Sequence, residues 1–319
     1  MKNKLKIYHN DKMVCTKYMD QSQSKSPTKP LLVLNDLKKI IPESLYSIES
    51  FEPFTKEDFL IAHTPQYVDY VYNFNQPGVK LTSDIPWSED LVRSLELTNA
   101  SLYNAIKNSI SNPEDLHFSN TSGFHHAMPH KGIGFCTFAG QVISSTKIFK
   151  ESGKKGCYLD LDGHFGNSIE DCRGYVPELN EAVPEWANFN PGGYDKNYTY
   201  HLEQFLYGKL KHELIKGNID YVVWCHGADS HIDDDFGGQV DTKYWELASH
   251  IFWTWVKHMD EVLQRPLPVS FSLFGGYRRN AYQSVINLHI SDIVKGLNIL
   301  LNANIDYELE YVTKSFKEL

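Results

Sequence analysis

Three apolar runs constrain this 319-residue chain more than anything else in it. They are CYLDLD (157–162), YVVWC (221–225) and VSFSLF (269–274), rich in β-branched and aromatic residues. Such residues fit a pleated, buried surface, and near-continuous apolar strands are typical of sheets covered on both faces. Around them lie segments with apolar residues at helical spacing: Leu31–Ile40, a stretch starting near Glu89, 134–150, 198–217 with Gly217 as its stop, 243–264 and 280–297. Strands alternating with helices imply an α/β fold, a central parallel sheet with helices on both faces. Length alone permits two domains. The chain shows neither an internal repeat nor a long linker, so it reads as one domain over 1–319. Residues 4–8 read as a short strand and QSQSKSPTKP (21–30) as a surface loop, and Phe165–Lys196 shows little period of either kind.

All three strands end in polar residues and glycine. The first runs into Gly163-His164, the second into HGADSHIDDD (226–235), the third into GGYRR (275–279). In open α/β sheets ligands bind at the carboxyl ends of the strands. One such ending is ordinary turn chemistry; three together converge on a crevice. Asp160, Asp162 and His164 fall at every second position, which on an extended backbone is one face. A carboxylate and an imidazole suit a divalent metal, zinc above all, with an open position for water. The run Asp233-Asp234-Asp235 offers a third ligand, or is a solvated acidic loop. The adjacent His125 and His126 can serve as base and acid. Tyr277, after two glycines, can donate to a developing oxyanion or pack as a core aromatic.

Composition narrows the partners. A formal net charge of -9 disfavours nucleic acid and admits a cationic small molecule or basic peptide. The five cysteines are odd in number with no CxxC pair, the usage of reduced thiols in a cytosolic protein. MKNKLKIYHN lacks the apolar core of a signal peptide, and no run reaches about 18 apolar residues. A cytoplasmic, non-membrane protein is the expectation.

Six motifs in order, HTPQYVDYV (63–71), SGFHHA (122–127), GFCTF (134–138), DLDGHFGN (160–167), GADSHIDDDFGG (227–238) and LFGGY (273–277), resemble the zinc-dependent histone deacetylase and acetylpolyamine amidohydrolase superfamily. The resemblance implies an arginase/deacetylase-type fold and a catalytic zinc held by Asp162, His164 and Asp234. The last is chosen because it stands five residues after Asp229 of GAD. The resemblance makes His125 and His126 the tandem catalytic histidines, with Asp160 orienting the first. Tyr277 becomes the transition-state tyrosine, and Gly134, Phe135 and Gly276 line an acyl-lysine tunnel. It also implies a structural K+ near the DLDGH backbone, and acetyl-lysine or an acetylpolyamine as substrate.

The chain departs from the family pattern at several points. Asn167 stands where some members carry a second orienting aspartate, so His126 is expected to hold its proton less firmly. Phe165 replaces a histidine. The loop NPGG (190–193) is one residue short, leaving Phe189 or Tyr194 as the second tunnel wall. The resemblance places Asp241, seven residues after Asp234, at the tunnel mouth, where it would attract a cationic substrate, with Thr242 starting the next helix; the other reading is that Asp241 or Thr242 simply N-caps that helix. The competing readings are a ureohydrolase of the same fold, which DLDGHFGN contradicts by lacking the further carboxylate of a two-metal motif, and a non-catalytic acyl-lysine binder, for which the tyrosine or a ligand should be missing.

Overall fold

A computed structural model describes residues 2–314. Among them, seven strands form one all-parallel sheet: β1 Leu5–Tyr8, β2 Tyr46–Glu49, β3 Leu116–Ser119, β4 Gly156–Asp160, β5 Asn188–Phe189, β6 Tyr221–Cys225 and β7 Val269–Ser272. Their order is β2-β1-β3-β7-β6-β4-β5. The three runs that open the sequence argument are β4, β6 and β7, adjacent at the centre. β1, β2, β3 and β5 are short, and of these only β1 is evident in the sequence. Every residue of β3, β4, β6 and β7 is buried, as a doubly covered sheet requires.

The cover comes from six longer helices: α1 Lys29–Ile40, α2 Glu89–Ser111, α3 Gly140–Ser152, α4 Asp195–Phe205, α5 Thr242–Leu263 and α6 Tyr282–Leu301. Helices α2 and α3 pack together, α5 pairs with α6, and α1 lies against α6. The spacing in 134–150 predicts a helix from its start, but α3 begins only at Gly140. Residues 134–139 form a loop instead, because Gly134 and Phe135 both take left-handed backbone angles, φ +55° and +62°. The stretch 198–217 is helical through Ile215 with a π-turn at Leu206–Leu210, and Gly217 ends it at φ +72°. The five cysteines are buried and unpaired.

Packing between α5, α6 and the sheet is aromatic. Trp224 of β6 stacks on Phe252 at 4.0 Å between ring centres. The indoles of Trp224 and Trp253 and the hydroxyl of Ser249 all donate to the buried carboxylate of Asp292. One charge on α6 thus satisfies three polar groups that burial would otherwise leave unpaired.

Register fixes where the chemistry goes. Asp160 lies opposite Cys225, Cys225 opposite Ser272, and Ser119 opposite Ser272. The carboxyl ends of β3, β7, β6 and β4 are therefore flush, and the loops that leave them meet above one edge.

Candidate active site

The loop after β3 brings in the histidine pair. Ser168 holds it from below: its N–H donates to the His125 carbonyl at 2.7 Å and its hydroxyl to that of Ala127 at 2.6 Å. His63, from the first of the six motifs, braces the same region. Its Nδ1 lies 3.0 Å from the Met128 carbonyl, and its Nε2 accepts from the Ala139 N–H at 2.9 Å.

The two histidines have opposite environments. His125 Nδ1 lies 3.0 Å from Asp160 Oδ2, and its Nε2 3.5 Å from Asp162 Oδ1. Burial works against a charge there, yet the carboxylates of Asp162 and Asp160 push its pKa up to about 9. His126 Nδ1 lies 2.7 Å from Asn167 Oδ1. Burial and the neighbouring His125 charge push its pKa down to about 4, against the Asn167 hydrogen bond. The amide of Asn167 is itself oriented, since its Nδ2 donates to Asp171 at 2.6 Å. Its oxygen must then face His126, so Nδ1 carries the hydrogen and Nε2 keeps a lone pair.

Carboxylates crowd the floor. Asp162 Oδ1 and Asp229 Oδ2 each lie 3.1 Å from His164 Nδ1, and ligand atoms of these three residues fall within 4.8 Å of one another. Asp229 is absent from the sequence-derived ligand set, although GAD is among the motifs. Asp234, which that set includes, lies outside this tight group. Its Oδ1 accepts from the N–H groups of Phe236 and Gly237 at 2.9 and 3.3 Å, and its Oδ2 from Tyr277 at 2.7 Å. Burial and then the Asp162 charge push the Asp229 pKa up to about 7, and burial raises that of Asp234. Asp162, though buried, is held well below the usual carboxylate range by the His125 charge and the His164 contact, whereas Asp229 and Asp234 are raised and favour a cation beside them. A lysine is also drawn in: Lys29 is fully buried, the charges of Asp229, Asp162 and Asp234 act on it against the cost of burial, and its ammonium donates to the Phe274 carbonyl.

The loop after β7 closes over these groups. Phe274 is left-handed at φ +58°, a strain that surrounding contacts must hold. Besides Lys29, Gly275 N–H donates to Asp162 Oδ2 at 2.8 Å. A Cβ on Gly275 would come within 2.1 Å of Asp229 Oδ2 and 2.6 Å of Asp162 Oδ2, so a side chain is excluded there. Tyr277 follows, nearly buried. Burial and the surrounding aspartates raise its pKa well above the ordinary value, so its hydroxyl stays a donor.

Tyr277 stands between Phe135 and Phe236, each with its ring centre 5.4 Å away. These three aromatics wall the crevice. Phe189, expected there, instead stacks on Phe205 at 4.1 Å inside the fold, because β5 is paired with β4 and carries it inward. Tyr194 is 68% exposed at the start of α4. Phe236 has no special pattern in sequence; only its place beside the acidic run points to it. Of the two readings of Asp241, the structure shows the cap. Its Oδ1 accepts from Tyr244 N–H at 2.9 Å and caps α5; a helix terminus needs such an acceptor. Gly134 lies against the His126 ring and Gly276, at φ +147°, against Val285 and Ala228.

The sequence matches the histone deacetylase domain family over residues 23–179. Among solved structures, the HDA15 HD domain superposes with a TM-score of 0.70 at 18% identity, covering 94% of this chain and 93% of that one. An acetylpolyamine aminohydrolase from Burkholderia pseudomallei superposes with a TM-score of 0.64 at 14% identity, covering 93% and 99%. These two superpositions show a shared fold.

Proposed function

We propose, from the premise that residues 23–179 carry a histone deacetylase domain, that this chain is a zinc-dependent amidohydrolase removing the acyl group from an acylated amine. The family supports a hydrolase acting on amides. The observation that carries the finer reading is the pairing of a depressed histidine with an elevated one beside a buried Asp–His–Asp cluster. Environments that push two titratable neighbours apart assign a base and an acid.

The metal, when bound, polarises the acyl carbonyl and lowers the pKa of water. His126 Nε2, neutral at ordinary pH, would take a proton from the attacking water. His125, held protonated by Asp160 and Asp162, provides positive charge and a proton for the departing amine. Tyr277 donates its hydroxyl to the oxygen on which negative charge grows. Phe135 and Phe236 exclude water from the flanks.

Asp162, His164 and Asp234 would hold the metal. Asp229 fits less well as the third ligand: it is fully buried and glycine backbone crowds its carboxylate, since a Cβ on Gly227 or Gly275 would come within 2.4 or 2.1 Å of it. Asp229 is better placed to orient His164 and the Gly163 N–H, the latter 2.9 Å from its Oδ1. A structural K+ beside the 160–164 backbone remains a proposal on the family likeness alone. The substrate is an acetyl-lysine peptide or an acetylpolyamine. The test is zinc content and deacetylation of both substrate types for wild type, Asp234→Asn and Asp229→Asn. Zinc lost in Asp234→Asn and retained in Asp229→Asn supports the assignment. The reverse would move the third ligand to Asp229, and no zinc in the wild type would end the metal reading.

A further inference from the structure

The segment after α6, residues 303–314, forms neither helix nor strand, yet it follows a fixed course. ANIDYELEY (303–311) alternates apolar or aromatic residues with polar ones, and exposure alternates with it. Ala303, Ile305, Tyr307, Leu309 and Tyr311 pack inward, the acids between them outward. The segment runs back along α6. Asn298 exchanges two hydrogen bonds with Ile305, Asn287 Nδ2 donates to the Glu310 carbonyl at 2.8 Å, and Val312 N–H reaches Ser284 Oγ at 3.1 Å. At about 3.3 Å per extended residue, this short run spans the length of a helix with only 1.5 Å rise per residue.

Its far end meets the loop that carries Asp234. The Tyr311 ring lies over the His231 ring with 4.0 Å between centres. His231 in turn accepts from the Asp233 N–H at 3.1 Å. Lys314 Nζ donates to the Asp234 carbonyl at 2.8 Å and lies 3.3 Å from Asp235 Oδ1. The Lys314 side chain is only 16% exposed there. Asp235 is gripped from the other side by the Arg279 N–H at 2.8 Å. The three consecutive aspartates are thus separated by role. The outer two bind protein cations and backbone; the middle one turns its carboxylate to the Phe236, Gly237 and Tyr277 N–H groups while Lys314 holds its carbonyl.

We infer that segment 303–314 is a clamp on the metal site, with Lys314 and Tyr311 as positioning residues that fix the backbone of Asp234. This rests on Asp234 being a ligand, as proposed above. The clamp sets how firmly the site keeps its metal, and not how the amide is attacked. Groups that orient a ligand typically change metal affinity by about 10- to 100-fold when lost.

The experiment measures zinc affinity by competition with a chromophoric chelator, together with the melting temperature of the zinc-free protein. The full chain is compared with Lys314→Met, Lys314→Arg and Tyr311→Leu. Lys314→Met and Tyr311→Leu should weaken zinc binding by about 10-fold or more, and Lys314→Arg should keep most of it. The zinc-free melting temperature of Lys314→Met should match wild type, and its kcat should return at saturating zinc. Zinc affinity of Lys314→Met within about twofold of wild type overturns the clamp. So does an equal loss in Lys314→Arg accompanied by a lower zinc-free melting temperature, which would make the contact general packing. A wild-type chain that takes up no zinc would instead defeat the metal assignment, and the two failures are distinct.

Discussion

Replacing Asn167 by aspartate tests the division of labour between the two histidines most directly. The change is nearly isosteric and converts the acceptor 2.7 Å from His126 Nδ1 into a carboxylate. Its charge would lie roughly 4 Å from the centre of an imidazolium, where two unit charges interact by about 4 kcal/mol at an effective dielectric near 20. At about 1.4 kcal/mol per pKa unit this is an upper bound of about three units. Asp171 reduces it, because its Oδ2 lies 2.6 Å from the position now held by the Asn167 amide nitrogen and would face a like charge. A rise of about one to two units is expected, inside the usual span for a carboxylate beside a histidine. The starting value is about 4. Below its pKa His126 is protonated and cannot accept a proton, so kcat/KM rises as pH climbs through that value. Raising the pKa moves the acidic limb of the profile to higher pH. A bound metal lowers both proteins' values alike and leaves the difference. The assay is kcat/KM for an acetylated substrate across the acidic and neutral range, wild type against Asn167→Asp. An acidic limb displaced by less than about 0.3 unit, or displaced downward, would refute His126 as the base.

Two further outcomes are expected. Tyr277→Phe removes one hydroxyl and keeps the ring between Phe135 and Phe236, so melting temperature should hold while kcat falls by about 10²–10³-fold; a change below about twofold would remove Tyr277 from the mechanism. Asp241→Ala removes the acceptor that caps α5 and should cost about 1 kcal/mol in denaturant unfolding. If stability is unaltered and activity on N-acetylputrescine falls selectively against a neutral acetyl-lysine peptide, Asp241 faces substrate after all.

The sequence carries the parts of this molecule whose physics is local. A long apolar run such as YVVWC can only be a buried strand, and the polar residues that end it must lie at the sheet's carboxyl edge. The every-second spacing of Asp160, Asp162 and His164 picks out residues that do meet, but β4 is extended only to Asp160 and the chain bends over 162–164, so contacts of Asp160 and Asp162 with His125 and of Asp162 with His164 gather them, not strand periodicity. What the sequence conceals is set by distant contacts. Phe236 becomes a wall because the Asp234 loop folds onto the β7 loop, and nothing in the residues around it says so. Phe189 turns inward because a two-residue strand pairs with β4. Asp229 joins the cluster only because glycines 163, 227 and 275 let three loops close on it. Asp241 caps a helix in place of facing substrate, a competition between two uses of one carboxylate that spacing cannot settle. The segment 303–311 did hold a signal, strict alternation of apolar and polar residues, and it reads as a strand; its actual partner is a helix.

The strand order has a consequence for how the protein comes into being. Among the described residues, β2, β1 and β3 form one half of the sheet and β6, β4 and β5 the other, and β7 alone pairs with both. It is the last strand to be synthesised. The histidine pair rides on the first half, Asp162, His164 and Asp234 on the second, and Tyr277 on the bridging strand itself. Two sub-assemblies must therefore wait, each with an open edge, until β7 is inserted between them. Non-local pairing of this kind is slow, and an unpaired edge invites association in the interval. The nascent chain would gain its reactive centre in the same event that seals its sheet.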